Sequence, residues 1–155
     1  MADTIAAVAT GGGVSAIGVI RVSGDDAITI VSKVFRPRSG RSMADYESGR
    51  LVYGELLGTD GAPIDLCLCT VSRAPYSYTG ENTAELHCHG SPVVLAEGLR
   101  ALFQAGARQA GPGEFTKRAF LNGKMDLSQA AAVIDIIEAQ TEAAARNALG
   151  QLKGA

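Results

Sequence analysis

At 155 residues and 46% apolar content, the chain carries enough material for a proper core, since a domain near this size buries roughly 68–70% of its unfolded surface. A net charge of −2 and a pI near 5.6 exclude the broad basic surface that nonspecific nucleic-acid binding needs. No apolar run approaches the ~20 residues of a membrane span and no charged leader precedes an apolar stretch. The three cysteines, Cys67, Cys69 and Cys88, cannot all pair within one chain, so a reduced cytoplasmic protein is expected.

In chain order, Thr4 to Ala9 and Ile17 to Ser23 are rich in Ile, Val and Ala and predict two short strands around the glycine-rich loop Gly11 to Ala16. Asp25 or Asp26 is then expected to cap a helix carrying Ile28, Val31 and Val34 at helical spacing. Arg36 to Arg50 is basic and lacks periodicity, which predicts a surface loop. Leu51 to Leu57 and Ile64 to Val71 read as a hairpin around Gly58-Thr59-Asp60-Gly61. Thr83 to His89 predicts a strand, Pro92 to Phe103 a helix and Ala107 to Ala110 a short edge strand. Hairpins mixed with single helices favour an α+β, two-layer sheet-and-helix fold over a doubly wound parallel one.

The run from Pro112 to Leu127 packs two turns, Pro112-Gly113 and Asn122-Gly123, around a short charged segment with Glu114, Lys117, Arg118 and Lys124 near Phe115 and Phe120. Taken by itself it reads as a solvated connector with two apolar anchors. Asp126 and Gln129 form a capping-box pattern that opens a long helix. Along it, Ala130, Ile134, Ile137, Thr141, Ala144, Ala148 and Leu152 recur at spacings of three and four. About 27 residues of helix extend about 40 Å, too far for a compact body of this size to cover, so partner helices are expected.

Gly11-x-Gly13-x-x-Ala16 superficially matches a dinucleotide fingerprint, but a strand-like segment follows where a helix is required. Gly123-Lys124 lacks the upstream glycine and following Ser/Thr of a P-loop. Cys67 and Cys69 with His87 and His89 could in principle give a two-Cys, two-His metal set. Both spacings are weak, and half-buried strand residues are the favoured reading. No triad pattern supports nucleophilic catalysis.

The run PGEFTKRAFLNGKMDLSQA, with Asp3 to Ala7, Ile17 to Gly24, Ser77 to Glu81, Glu85-Leu86 and His89-Gly90, closely resembles the MnmE (TrmE) family of tRNA-modification GTPases over almost the whole chain. Two segments depart from the family pattern: the glycine-rich loop, and Gln129 to Val133, which lacks the family's Glu. The resemblance implies an N-terminal tetrahydrofolate-binding and dimerisation domain over residues 1–121. Residues 122–155 would begin a helical domain, and the GTPase domain would be missing here. Arg21, Glu85 and Lys124, each singly a surface charge, match the family's folate-binding Arg, Glu and Lys. A carboxylate suits the amino and ring N–H edge of a pterin, while Arg and Lys suit glutamyl carboxylates. Tyr76, Tyr78 and Phe115 would supply apolar walls.

By the same resemblance the cofactor is 5-formyltetrahydrofolate or a related reduced folate. GTP, Mg and K belong to the full-length protein, and the partners are a second copy, an MnmG-like FAD-binding protein and tRNA. No catalytic residue is expected within this chain. The complete assembly would add an aminomethyl-type group to C5 of the wobble uridine. The alternatives are a stand-alone folate-dependent protein related to aminomethyltransferases and a dimerisation module without ligand.

Overall fold

The computed structural model describes residues 3–10 and 16–153. The strands are β1 (Ile5–Val8), β2 (Ile17–Ser23), β3 (Phe35–Pro37), β4 (Val52–Leu57), β5 (Pro63–Ser72), β6 (Thr83–His89) and β7 (Arg108–Gln109). The helices are α1 (Ala27–Val34), α2 (Pro92–Gln104), α3 (Glu114–Leu121) and α4 (Leu127–Lys153), with a 3-10 turn at Met43–Asp45. Among the described residues the strands form one mixed sheet in the order β3-β4-β5-β6-β2-β1-β7, antiparallel except for β1 with β7. The fold is α+β, as the alternation of hairpins and single helices predicts.

Strand alternation assigns the two faces. Ile20 and Val22 of β2, Leu86 and Cys88 of β6 and Cys67, Cys69 and Val71 of β5 turn inward and pack with Ile30, Val31 and Val34 of α1 and Leu102 of α2. Each large apolar side chain buried in this layer contributes roughly 1.5–3 kcal/mol. The intervening residues, Arg21 on β2 and Glu85 and His87 on β6, project from the opposite face. On that side α3 is tied to the end of β2 by Arg118 Nη1, which donates to the Ser23 carbonyl at 3.4 Å.

Local chemistry fixes the junctions. Gly24 has φ +146°, and a Cβ there would fall 2.6 Å from the Thr4 Cα, so only glycine lets the β2–α1 turn pass beside β1. The α1 start departs from expectation. Asp26 occupies the N-cap position but its side chain makes no capping bond; its own N–H donates to Thr4 Oγ1 at 3.2 Å. The segment expected as a plain surface loop, Arg36 to Arg50, instead begins inside edge strand β3 and buries Met43 completely in the core. A single methionine among polar residues has no period to reveal it. The capping box forms as read: Gln129 N–H donates to Asp126 Oδ1 at 2.8 Å and Asp126 N–H to Gln129 Oε1 at 3.1 Å.

Of the α4 stripe, Ala130 is buried and Val133, Ile134 and Ile137 are half-buried, whereas Thr141 is exposed. The side chains of Ala144, Ala148 and Leu152 lie outside the described residues, as do residues 11–15 of the glycine-rich loop. Among the described residues, no helix is long and apolar enough to cross a membrane.

Candidate functional site

Register brings two of the three expected site residues together. Arg21 on β2 stands directly opposite Glu85 on β6, and its Nε and Nη2 both approach Glu85 Oε2 at 3.0 Å. The second oxygen, Oε1, lies 3.1 Å from His87 Nε2, two residues along the strand and therefore on the same face. Burial opposes the Glu85 charge, but hydrogen bonds from His87 and Arg21 outweigh it and hold the carboxyl below its ordinary value of 4.5. The Glu85 carboxylate is thus ionised at neutral pH.

Two aromatic rings close over the guanidinium. Arg21 Cζ lies 5.4 Å from the Tyr78 ring centroid and 5.7 Å from that of Phe115, a cation–π arrangement. Tyr78 is itself fixed by a 2.9 Å bond between its hydroxyl and Thr116 Oγ1, which ties the β5–β6 loop to α3. Tyr76, expected as a third wall, is 84% exposed and lies outside the lining of the clefts beside Arg21.

Arg21 separates two cavities. On one side is a cleft of about 630 Å³ between β1, the Gly111–Gly113 turn, Phe115 and the α4 residues Val133 and Ile137. On the other is a pocket of about 140 Å³ bounded by Glu85, Thr70, Ser72, Thr83 and Tyr78. The larger volume falls within the range of small-molecule sites. It combines apolar walls with one cation and, next to it, one anion.

Lys124 occupies a different place. Its backbone N–H ends α3 by donating to the Ala119 carbonyl at 2.8 Å, and its side chain lies against the turn at Gly80, where an added Cβ would fall 3.4 Å from Lys124 Cγ. Asn122 Nδ2 donates to the Thr79 carbonyl at 2.8 Å, so the Tyr78–Gly80 and Asn122–Lys124 turns dock together. Lys124 is exposed and makes no ion pair among the described residues.

A second charge network holds α3 in place, and the solvated-connector reading of this run missed it. Arg118 is 7% exposed and pairs with Glu81 Oε1 at 3.1 Å, Asp3 Oδ1 at 3.2 Å and Glu114 Oε2 at 3.5 Å. Arg108 bonds both Asp3 and Glu114. Arg108 is the main reason that Glu114 is held below the usual carboxylate range, and Glu114 Oε1 also accepts from the Gly111 N–H at 2.9 Å. Ser23 and Thr79 complete the network through a 2.7 Å hydroxyl pair. His87 was also missed as a partner of Glu85, although its i, i+2 strand spacing carried the signal.

The two-Cys, two-His set does not assemble. Cys67 and Cys69 point to the helix-covered face, whereas Leu68 and His87 are paired on the opposite one. Cys67 sits beside Cys88, and their hydrogen bond, followed by burial, drives the Cys67 thiol far above its ordinary value.

Residues 4–124 match the family model described as "GTP-binding protein TrmE N-terminus". The chain is 49% identical over 152 residues to the tRNA modification GTPase MnmE of Symbiobacterium thermophilum, an alignment covering 98% of this chain and 33% of that protein. It is 50% identical over 155 residues to the MnmE of Carboxydothermus hydrogenoformans, covering 99% and 34%. It is likewise 50% identical to that of Chloroflexus aurantiacus, covering 99% and 33%. The chain therefore spans about one third of the length of these curated relatives.

Proposed function

The chain belongs to the MnmE (TrmE) family of tRNA-modification GTPases and corresponds to its N-terminal region, and we propose that this region binds a reduced folate at the Arg21–Glu85 cleft. The supporting observation is a half-buried, ionised carboxylate beside a cation stacked by two aromatic rings. Glu85 has four lone-pair sites on its two oxygens, so the bonds to Arg21 and His87 leave acceptor capacity for the amino and ring N–H edge of a pterin. Tyr78 and Phe115 offer flat apolar surface to the ring. Arg21, with Lys124 at the neighbouring turn, supplies positive charge for the glutamyl tail. When bound, 5-formyltetrahydrofolate or a related folate would contribute the one-carbon unit.

The remaining assignments concern the longer protein. Residues 1–121 form the folate-binding and dimerising unit, and residues 122–155 begin a helical domain whose exposed α4 surface packs against further helices. GTP hydrolysis resides in sequence beyond this region, because Gly123-Lys124 has no P-loop context. With an FAD-bearing partner, the whole assembly installs an aminomethyl-type group at C5 of the wobble uridine of tRNA. Thermal denaturation with increasing 5-formyltetrahydrofolate tests the binding step. A ligand specific for the folded state raises the midpoint progressively with concentration, and an unchanged midpoint at millimolar ligand would oppose the assignment.

A further inference from the structure

We propose that Asp65, Cys67 and Cys88 form a binding site for a thiophilic divalent cation of the zinc class, separate from the Arg21–Glu85 cleft. The carboxylate and the two sulfurs lie within 4.8 Å of one another. Zinc–sulfur bonds of about 2.3 Å and zinc–oxygen bonds of about 2.0–2.2 Å place tetrahedral ligands about 3.5–3.8 Å apart. The three groups therefore need to close by only about 1 Å, a side-chain adjustment that leaves the ladder intact.

The topology explains how residues so far apart in sequence converge. Cys67 and Cys88 lie on adjacent strands, one step beyond the Leu68 and His87 pair, and Asp65 precedes Cys67 by two residues on the same face of β5. Cys67 and Cys88 are 4% and 2% exposed. Two such thiols alone would pack as small apolar groups. The Asp65 carboxylate adds an oxygen donor beside the two sulfurs. Its side chain is 9% exposed, so it stands next to the buried sulfurs rather than out in solvent.

His89 supplies the supporting contact. Its Nδ1 lies 2.7 Å from Asp65 Oδ1 and its backbone N–H donates to Asp65 Oδ2 at 3.0 Å. These bonds orient the carboxylate as outer-shell partners orient metal ligands. Each carboxylate oxygen keeps a lone pair for an ion, and the 72% exposed imidazole marks the solvent side from which one would enter. Two sulfurs and one oxygen leave a fourth position for water. This donor set selects zinc or cobalt over magnesium or calcium, which prefer all-oxygen shells. Both thiols release their protons to solvent as they bind.

Titration of the reduced protein with Co(II) tests the site, because cobalt–thiolate charge transfer is visible in the near ultraviolet only when sulfur is bound. The expected result is saturation of that band at one equivalent, displacement by Zn(II), and no competition from excess Mg(II). Cys67→Ser and Cys88→Ser should each abolish it, whereas Cys69→Ser, on the same face but outside the cluster, should retain it. His89→Ala should weaken binding by roughly 10–100-fold. Circular dichroism establishes that each variant is folded, and Asp65→Asn provides a fifth variant that leaves both sulfurs in place and should also bind more weakly. Absence of the band in folded wild-type protein would overturn the proposal, as would a band that survives in both Cys67→Ser and Cys88→Ser.

Discussion

Arg21 and Glu85 meet across the β2–β6 ladder through a single carboxylate oxygen, with Nε and Nη2 each 3.0 Å from Oε2. The opposite oxygen belongs to His87. Glu85 is therefore held from both sides on a strand buried in the middle of the sheet, and the aromatic pair above Arg21 is fixed in turn by α3.

This geometry makes acid stability depend on Glu85. Its folded-state pKa is depressed, so the stabilisation is complete above the unfolded value near 4.5 and disappears as pH falls through the folded value. The stability difference between wild type and Glu85→Gln should narrow as pH falls below roughly 4.5. Urea denaturation at a series of pH values measures it. A gap that widens as pH falls below about 4.5 would contradict the assigned direction.

Tyr78 and Thr116 should act as one unit. Tyr78→Phe and Thr116→Val each remove the same 2.9 Å hydroxyl contact, and each should lower stability by about 1 kcal/mol. Because the second change has no bond left to break, the double variant should cost little more than either single one. Chemical denaturation of the four proteins checks this, and strict additivity would show that the contact is not made in solution.

Arg118→Ala should be the most damaging single change in the α3 region. It leaves Glu81, whose side chain is only 13% exposed, without its cation, a loss of about 3 kcal/mol for breaking a buried pair. Lys117→Ala, one residue away on the exposed side of α3, should change stability by less than about 0.5 kcal/mol. Comparable urea midpoints for the two variants would refute the buried role of Arg118.

At α4, Asp126→Ala removes the reciprocal cap with Gln129 and should cost about 1 kcal/mol. The effect is local: amide exchange should accelerate in the first turn of α4 and stay unchanged in β5 and β6. Uniform acceleration throughout the chain would instead indicate global destabilisation.

The fold and the site were legible to different depths. Strand β6, the Gly58–Gly61 hairpin and the Asp126–Gln129 cap follow from local patterns that need only a few neighbouring residues. Met43 and strand β3 stayed hidden because their burial depends on α1 and β4 arriving from elsewhere. Arg118 was read as solvated because a charge on a short helix usually is; its partners Asp3 and Glu81 are distant in sequence. Arg21 and Glu85 could be connected through family resemblance, but only the β2–β6 register shows that they touch. Cys88 next to Cys67 is a consequence of the β5–β6 register, which spacing within either strand does not reveal.

Glu85 is proposed to read the N–H edge of a reduced pterin, and calorimetric titration of 5-formyltetrahydrofolate into full-length wild type and Glu85→Gln is the decisive comparison. Replacing one acceptor oxygen with an amide donor leaves a buried ligand donor unpaired, a penalty of roughly 1–3 kcal/mol, so affinity should fall by about 5- to 150-fold. Lys124→Ala, which removes an exposed charge, should show a smaller loss that shrinks further at high salt. Equal affinities for wild type and Glu85→Gln, at matched pH and ionic strength, would show that Glu85 does not read the pterin.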